Sequence, residues 1–267
     1  MISLIYNNVT IEDELTMKQT VNVFLPMRAG SERIPEKNTK TFSGIKGGLC
    51  RIKLEQLVKC DLVSKIFVST NDKEVLKISK SINTNKIEVI LRPEELASSS
   101  TSTDDLIKYV PNIMPEGHIL WTHVTSPFID TKIYSEIINS YFKNIKYFDS
   151  LMTVTKLQKF IWNDNEPINY DRNLEKWPRT QTIKNLWEVN SGAFIASKSI
   201  YKQRLDRIGD NPYLFKLSDE ISFDIDWLPD FKIAETLFYS MYNISNTDKY
   251  PSKSMVSRNY LHTDQVV

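Results

Sequence analysis

"VNVFLPMRAGSERIPEKN", residues 21–38, sets the reading of the whole chain. Val21, Val23, Phe24 and Leu25 form a short apolar run of the kind that makes a buried strand. Pro26 has no amide hydrogen to give to a ladder and marks the strand's end. The next residues must then form a loop at the carboxyl end of that strand. Arg28 and Lys37 supply cations there, Gly30 permits close backbone approach, and Ser31 and Asn38 add polar side chains. Such a set suits a polyphosphate, whose charge is compensated by cations and backbone amides. The loop is neither GxGxxG nor a Walker sequence, and Glu32 and Glu36 offset its charge, so a solvated charged loop is the competing reading.

Working outward, strand and helix periodicities alternate. "LCRIKLEQLVKC" (49–60) spaces Leu49, Ile52, Leu54, Leu57 and Val58 broadly as a helix does, and the apolar "KIFVST" (65–70) comes next as a strand. A helix is expected from near Asp72, a strand over 87–91, a helix after Thr103 and a strand over 118–124. A further helix over 134–145, a strand over 150–155, a strand at "SGAFIAS" (191–197) and a helix within 226–241 complete the pattern. This alternation predicts an α/β fold with a mostly parallel sheet, whose ligands bind beyond the carboxyl ends of the strands. Residues 156–188 are less regular, hold three tryptophans and two prolines, and are expected to form an appendage or a subunit contact.

Composition bounds the function. The 267 residues, 41% hydrophobic, can bury a substantial core. A net charge of +1 argues against a chain-wide footprint for nucleic acid. No apolar run approaches the ~18 residues that cross a membrane. The first residues make a poor signal peptide, and Cys50 and Cys60 read as ordinary thiols of a reducing compartment, so a cytoplasmic location is expected. Residues 1–18 are read as an N-terminal extension, 19–244 as the main domain and 245–267 as a loosely held tail.

Three further loops carry candidate chemistry. Arg92 comes directly after the strand at 87–91, and Ser102 and Thr103 lie at a helix start. They could complete a nucleotide pocket, or the hydroxyls could serve only as caps and turns. In "HVTSPFID" (123–130), His123 is a possible ligand-orienting donor and Thr125 and Ser126 lie before Pro127; all three also fit structural roles. In "SFDIDWLPDF" (222–231), an extended Asp-Ile-Asp projects Asp224 and Asp226 to the same side. Two carboxylates ~4 Å apart repel by about 4 kcal/mol at an effective dielectric near 20, and a cation relieves this. Oxygen ligands alone favour Mg²⁺, or alternatively Mn²⁺, over zinc. A helix cap is the bland reading of either aspartate, and Asp230 is expected to support the first turn of the next helix.

These segments, in this order, resemble the cytidylyltransferases that activate acidic sugars: the CMP-sialic acid synthetases and, more distantly, the CMP-Kdo synthetases. The likeness rests on Arg28, Gly30, Ser31, Arg33, Pro35, Lys37 and Asn38, on "VSTND", "RPEELASSSTS" and "TSP", and on "NSGAFIAS" and "DIDWLPDFKIAE". It spans roughly residues 20–240. It implies a Rossmann-like, three-layer nucleotidyltransferase fold, and the transfer of CMP from CTP to the anomeric hydroxyl of an acidic sugar with release of pyrophosphate. It further implies that Arg28 and Lys37 face the triphosphate, with Ser31 and Asn38 setting the loop. Arg92, Ser102 and Thr103 would hold cytosine, and Asp224 and Asp226 would hold Mg²⁺. His123, Thr125 and Ser126 would lie on the sugar side, with Lys159 and Arg179 as further candidates for the sugar carboxylate. A homodimer is implied as well, with the 156–188 insertion reaching the partner's sugar site. Ala29, Glu32 and Glu36 stand where that family usually has glycine, lysine and glycine; His123 and Val124 replace glutamine and proline, and Phe128 and Ile129 replace leucine and arginine. Two rival readings are a metal-dependent glycosyltransferase, whose diphosphate-metal motif Asp-Ile-Asp also fits, and a CTP-binding regulator without catalysis.

Overall fold

The computed structural model describes residues 19–242. The expected extension (1–18) and the tail (245–267) lie outside the described residues. Seven strands form one sheet: β1 (Val21–Pro26), β2 (Val63–Thr70), β3 (Ile87–Leu91), β4 (His118–Thr122), β5 (Ser150–Leu157), β6 (Leu186–Ser197) and β7 (Pro212–Leu217). The helices are α1 (Gly48–Val58), α2 (Lys73–Ser81), α3 (Thr103–Ile113), α4 (Thr131–Asn144), α5 (Lys198–Arg204) and α6 (Leu228–Tyr242). The strand order is β3-β2-β1-β4-β6-β5-β7. β1 pairs in parallel with β2 and β4, β2 with β3, and β5 with β7, whereas β6 runs antiparallel to both of its neighbours.

Side-chain alternation explains why the central strands read as continuous apolar runs. Val21, Val23 and Leu25 of β1 enter a core with α1, α2, α4 and α6, while Phe24 enters a second core with α3 and α5. β4 and β6 divide in the same way: Leu120, Ala193 and Ile195 face the first core, and Trp121 and Phe194 face the second. A strand between two helical layers has no solvent face and so no polar alternation. The result is a three-layer α/β domain.

Local signals start several helices. Asp72 caps α2 by accepting from Glu74 N and Val75 N. Ser102 and Asp105 form a reciprocal capping box at α3. Asp230 accepts from Asp226 N and Trp227 N, so it supports the first turn of α6 as the sequence leads one to expect. α5 and β7 have no counterpart among the elements expected from periodicity. Pro26 remains paired with Ser69 as the last residue of β1, and Met27 N closes the ladder by donating to Ser69 O.

The chain passes from β1 to β2 and β3 on one side, then returns to place β4 on the other side of β1. Loops after β1 and β4 therefore diverge at the carboxyl edge and leave a crevice between them, where open α/β sheets bind ligands.

Candidate active site

The loop after β1 builds a cleft of about 390 Å³ lined by Arg28, Ala29, Gly30, Ser31, Pro35, Glu36, Asn38 and Asp72. Asn38 fixes its shape: its side chain donates to Arg28 O at 3.1 Å, and its carbonyl accepts from Cys50 N at 2.8 Å, at the start of α1. Ala29 N donates to Asn71 Oδ1, which joins the loop to the end of β2. Gly30 has φ +74°, and Glu36 has φ +54°. Glu36 thus holds a left-handed conformation that glycine adopts freely, which gives a physical reason for glycine at this place in the resembling family. Arg28 Nη1 donates to Gly30 O at 2.8 Å, so its guanidinium lies over the loop it belongs to.

Lys37 joins this loop to the other end of the chain. Its Nζ donates to Ile225 O at 2.8 Å and lies 3.9 Å from Asp226 Oδ1. Burial lowers the pKa of Lys37, with Asp226 and Asp224 opposing that shift. Arg33 makes the closer pair with Asp226, Nη2 to Oδ1 at 3.0 Å, and its guanidinium stacks 5.1 Å from the Trp227 ring centroid. The sequence marks Arg33 only through the family resemblance; its ion pair depends on the fold bringing residues 33 and 226 together.

The Asp224–Asp226 segment is an irregular stretch before α6, with Ile225 fully buried as an anchor and Ile225 N donating to Thr125 O at 3.0 Å. Asp224 is half-buried, and its carboxyl pKa is raised, first by burial and also by Asp226. Thr125 and Ser126 point their hydroxyls at this carboxylate, Ser126 Oγ lying 3.4 Å from Oδ1. In this structure they hold Asp224. Behind them, fully buried Lys53 of α1 donates to Ser126 O, Ile129 O and Tyr134 Oη at 2.8, 3.1 and 2.9 Å. Tyr134 Oη in turn meets Thr122 Oγ1, which donates to Gly192 O. The apolar stripe of α1 contained the clue, since Lys53 sits four residues from both Leu49 and Leu57.

Arg92 is brought next to the cleft but is engaged with the protein: Nη2 donates to Ser69 O at 2.8 Å and Nε to Ser69 Oγ at 3.2 Å. Burial and neighbouring Arg28 push its pKa down to about 10. Ser102 and Thr103 are exposed at the start of α3, and the Ser102 hydroxyl is used in the capping box. His123 Nε2 accepts from Trp121 Nε1 at 3.0 Å. Burial, then Arg207, Lys37 and Lys53, push the His123 pKa down to about 3, so the ring is neutral and carries its proton on Nδ1. Lys159 and Arg179 are exposed on the excursion between β5 and β6. Their backbone carbonyls accept from Asn169 Nδ2 and Thr182 N, and the structure does not join their side chains to the cleft.

Asp224 and Asp226 are the oxygen donors that a divalent cation would meet here. Among the described residues no group of three or more His, Cys, Asp or Glu could hold a metal, so two aspartates would share an ion with substrate oxygens and water. Two carboxylates with water and substrate oxygens are a donor set that Mg²⁺ accepts; burial first, and then Asp226, raise the Asp224 pKa, while Lys37 opposes this and Asp226 is itself paired with Arg33.

A mostly parallel sheet with a cation-bearing loop at its switch point and two aspartates nearby is an arrangement that suits a nucleotidyltransferase. The cytidylyltransferase family profile matches residues 23–237, and the chain belongs to that family. It is 25% identical over 228 residues to the N-acylneuraminate cytidylyltransferase of Escherichia coli O18:K1:H7, covering 83% of this chain and 52% of that protein. It is 21% identical to a pseudaminic acid cytidylyltransferase of Campylobacter jejuni, covering 80% of this chain and 94% of that one. The chain spans about half the length of the N-acylneuraminate relatives it matches. Its fold is similar to a CMP:2-keto-3-deoxy-manno-octonic acid synthetase complexed with CTP (TM-score 0.60, 13% identity, 83% of this chain and 99% of that one). It is also similar to a 4-diphosphocytidyl-2C-methyl-D-erythritol synthase from Anaerococcus prevotii (TM-score 0.58, 13% identity, 83% and 96%).

Proposed function

We propose that this protein transfers CMP from CTP to the anomeric hydroxyl of an acidic sugar of the nonulosonic class, with release of pyrophosphate. The observation that carries the reading is Lys37: one ammonium group joins the cleft loop to the Asp224–Asp226 segment. The triphosphate lies along the loop, with Arg28, Ser31 and backbone amides facing it and Lys37 at the end where charge develops on the leaving pyrophosphate. Cytosine lies on the Arg92 side, toward the start of α3. Asp224 and Asp226 hold Mg²⁺, or Mn²⁺ in its place; when bound, the ion polarises the α-phosphate and acidifies the attacking hydroxyl. Thr125 and Ser126 keep the Asp224 carboxylate aimed, and Lys53 holds the loop that carries them.

Among the described residues no helix is long and apolar enough to cross a membrane. The proposed reagents, CTP and Mg²⁺, and two free, buried cysteines fit a cytoplasmic enzyme. A homodimer is proposed from the excursion between β5 and β6, where Trp162, Ile168, Leu174 and Trp177 are exposed and Arg172 stacks near both tryptophan rings.

Lys37→Ala should lower kcat/KM for CTP by about 100-fold, because it removes a cation and frees Ile225 O. Steady-state kinetics check this, and an unchanged value would return the lysine to a purely structural role. The reading as a whole is tested by pyrophosphate release from CTP, UTP, ATP and GTP with Mg²⁺ and a mixture of nonulosonic acids. Release with CTP alone is expected; equal release from all four, or from none, counts against it.

A further inference from the structure

Arg207 occupies an unusual position. Its Cζ lies 3.7 Å from the Phe194 ring centroid and 5.2 Å from that of Trp121, so β6 and β4 give it an aromatic floor. Among the described residues no hydrogen-bond acceptor or ion-pair partner reaches the guanidinium; only its backbone N–H is used, donating to Asp206 Oδ1. Tyr201, fully buried beside it, also leaves its hydroxyl without a hydrogen-bond partner. A guanidinium has five N–H donors in a rigid fork, and a half-buried one normally meets a carboxylate or carbonyls.

The surroundings define what is missing. Trp121 also donates to His123 Nε2, so the floor under Arg207 continues to the ring just past the end of β4. That ring presents Nδ1–H, for which no acceptor occurs among the described residues. The charged groups that bear on His123 are Arg207, Lys37 and Lys53, all cations. On the other side of the same loop, Lys37 reaches the Asp224–Asp226 segment. Asp206 acts on Arg207 through space without forming an ion pair, and an unpaired fork beside a neutral N–H donor calls for an anion.

We propose that Arg207, laid on Phe194 and Trp121 and flanked by His123, receives the acidic group of the acceptor and sets the enzyme's preference for acids. This rests on the reading of the protein as a CMP transferase to acidic sugars and deepens it. Arg207 acts on specificity and takes no part in bond making. A planar carboxylate matches the outer edge of the guanidinium, and Tyr201 Oη offers an acceptor for an inner N–H once the fork settles.

The test uses the full chain with N-acetylneuraminic, legionaminic and pseudaminic acids and Kdo, each beside its methyl ester. Arg207→Gln should raise KM for the acid by about 50-fold, leave KM for CTP within about twofold and remove the acid-over-ester preference. Arg207→Lys should recover part of that preference, which a merely structural role would not do. Equal changes in both KM values, or an acid preference in Arg207→Gln equal to that of the wild type, would overturn the proposal. Calorimetric titration of the same acids into the CTP-bound protein without divalent metal separates the two claims. Binding weakened by Arg207→Gln, with no turnover by the wild type, would fail the reaction and keep the subsite. Equal binding to both proteins, or none to the wild type, would overturn the subsite.

Discussion

Asp224→Asn is expected to lower CMP transfer by about a thousandfold at ordinary Mg²⁺ while leaving the fold intact. The carboxylate is half-buried with its charge disfavoured, so its place in the structure is not explained by stability. The amide that replaces it keeps an oxygen to accept from Ser126 Oγ, and Ile225 still anchors the segment. What is lost is one of the two anionic ligands proposed for Mg²⁺. Turnover measured over a Mg²⁺ series, with a thermal unfolding curve for the same sample, separates these effects. Rates within a few-fold of wild type would remove Asp224 from the metal site. A collapsed unfolding midpoint would mean that the aspartate is structural after all.

The second large effect is on stability. Lys53→Ala should cost about 4 kcal/mol, because it opens a cavity and strips a partner from two buried carbonyls and from Tyr134 Oη. The loss also has a pH signature. Burial pushes the Lys53 pKa down to about 7, with Asp130 and Asp224 opposing, whereas an unfolded lysine titrates near ~10.4. Between these values the unfolded chain binds more protons, so Lys53 makes stability rise with pH from about 7 upward; the desolvation penalty is fully present below that range. The wild type should therefore gain up to about 2 kcal/mol relative to Lys53→Ala between pH 7 and 9, measured by denaturant unfolding. A difference that does not change with pH would show that Lys53 does not titrate in this range.

The parts legible in the sequence are those fixed by local chemistry. β1 and its loop could be read because a two-faced buried strand leaves an apolar run and Pro26 closes it. The start of α3 could be read because Ser102 and Asp105 form a local cap, and the same fact now accounts for the Ser102 hydroxyl without a ligand. β7 was hidden because it is short, begins with proline and is only half-buried at the sheet edge. The seven residues of α5 give too few turns for a period to show. The reversed direction of β6 leaves no mark on composition at all.

The site divides along the same line. Arg28, Lys37, Asp224 and Asp226 stood out as charges at strand ends and before a helix, and the fold does bring Lys37 to the aspartates. Arg33, Lys53 and Arg207 draw their roles from partners far away in sequence: Asp226, the 126–129 turn, and the Trp121–Phe194 floor. Thr125 and Ser126, expected on the sugar side, also support a carboxylate, because residues 224–226 cross directly over their turn.

Product mass decides whether this protein makes a CMP-sugar. Wild-type protein, CTP and Mg²⁺ are incubated with each nonulosonic acid and Kdo in turn, and the products are weighed by mass spectrometry. A CMP-linked acid is expected with one member of the panel, formed together with one pyrophosphate. CTP left intact with every acid, or a supplied CMP-sugar consumed where none is made, would contradict the assignment.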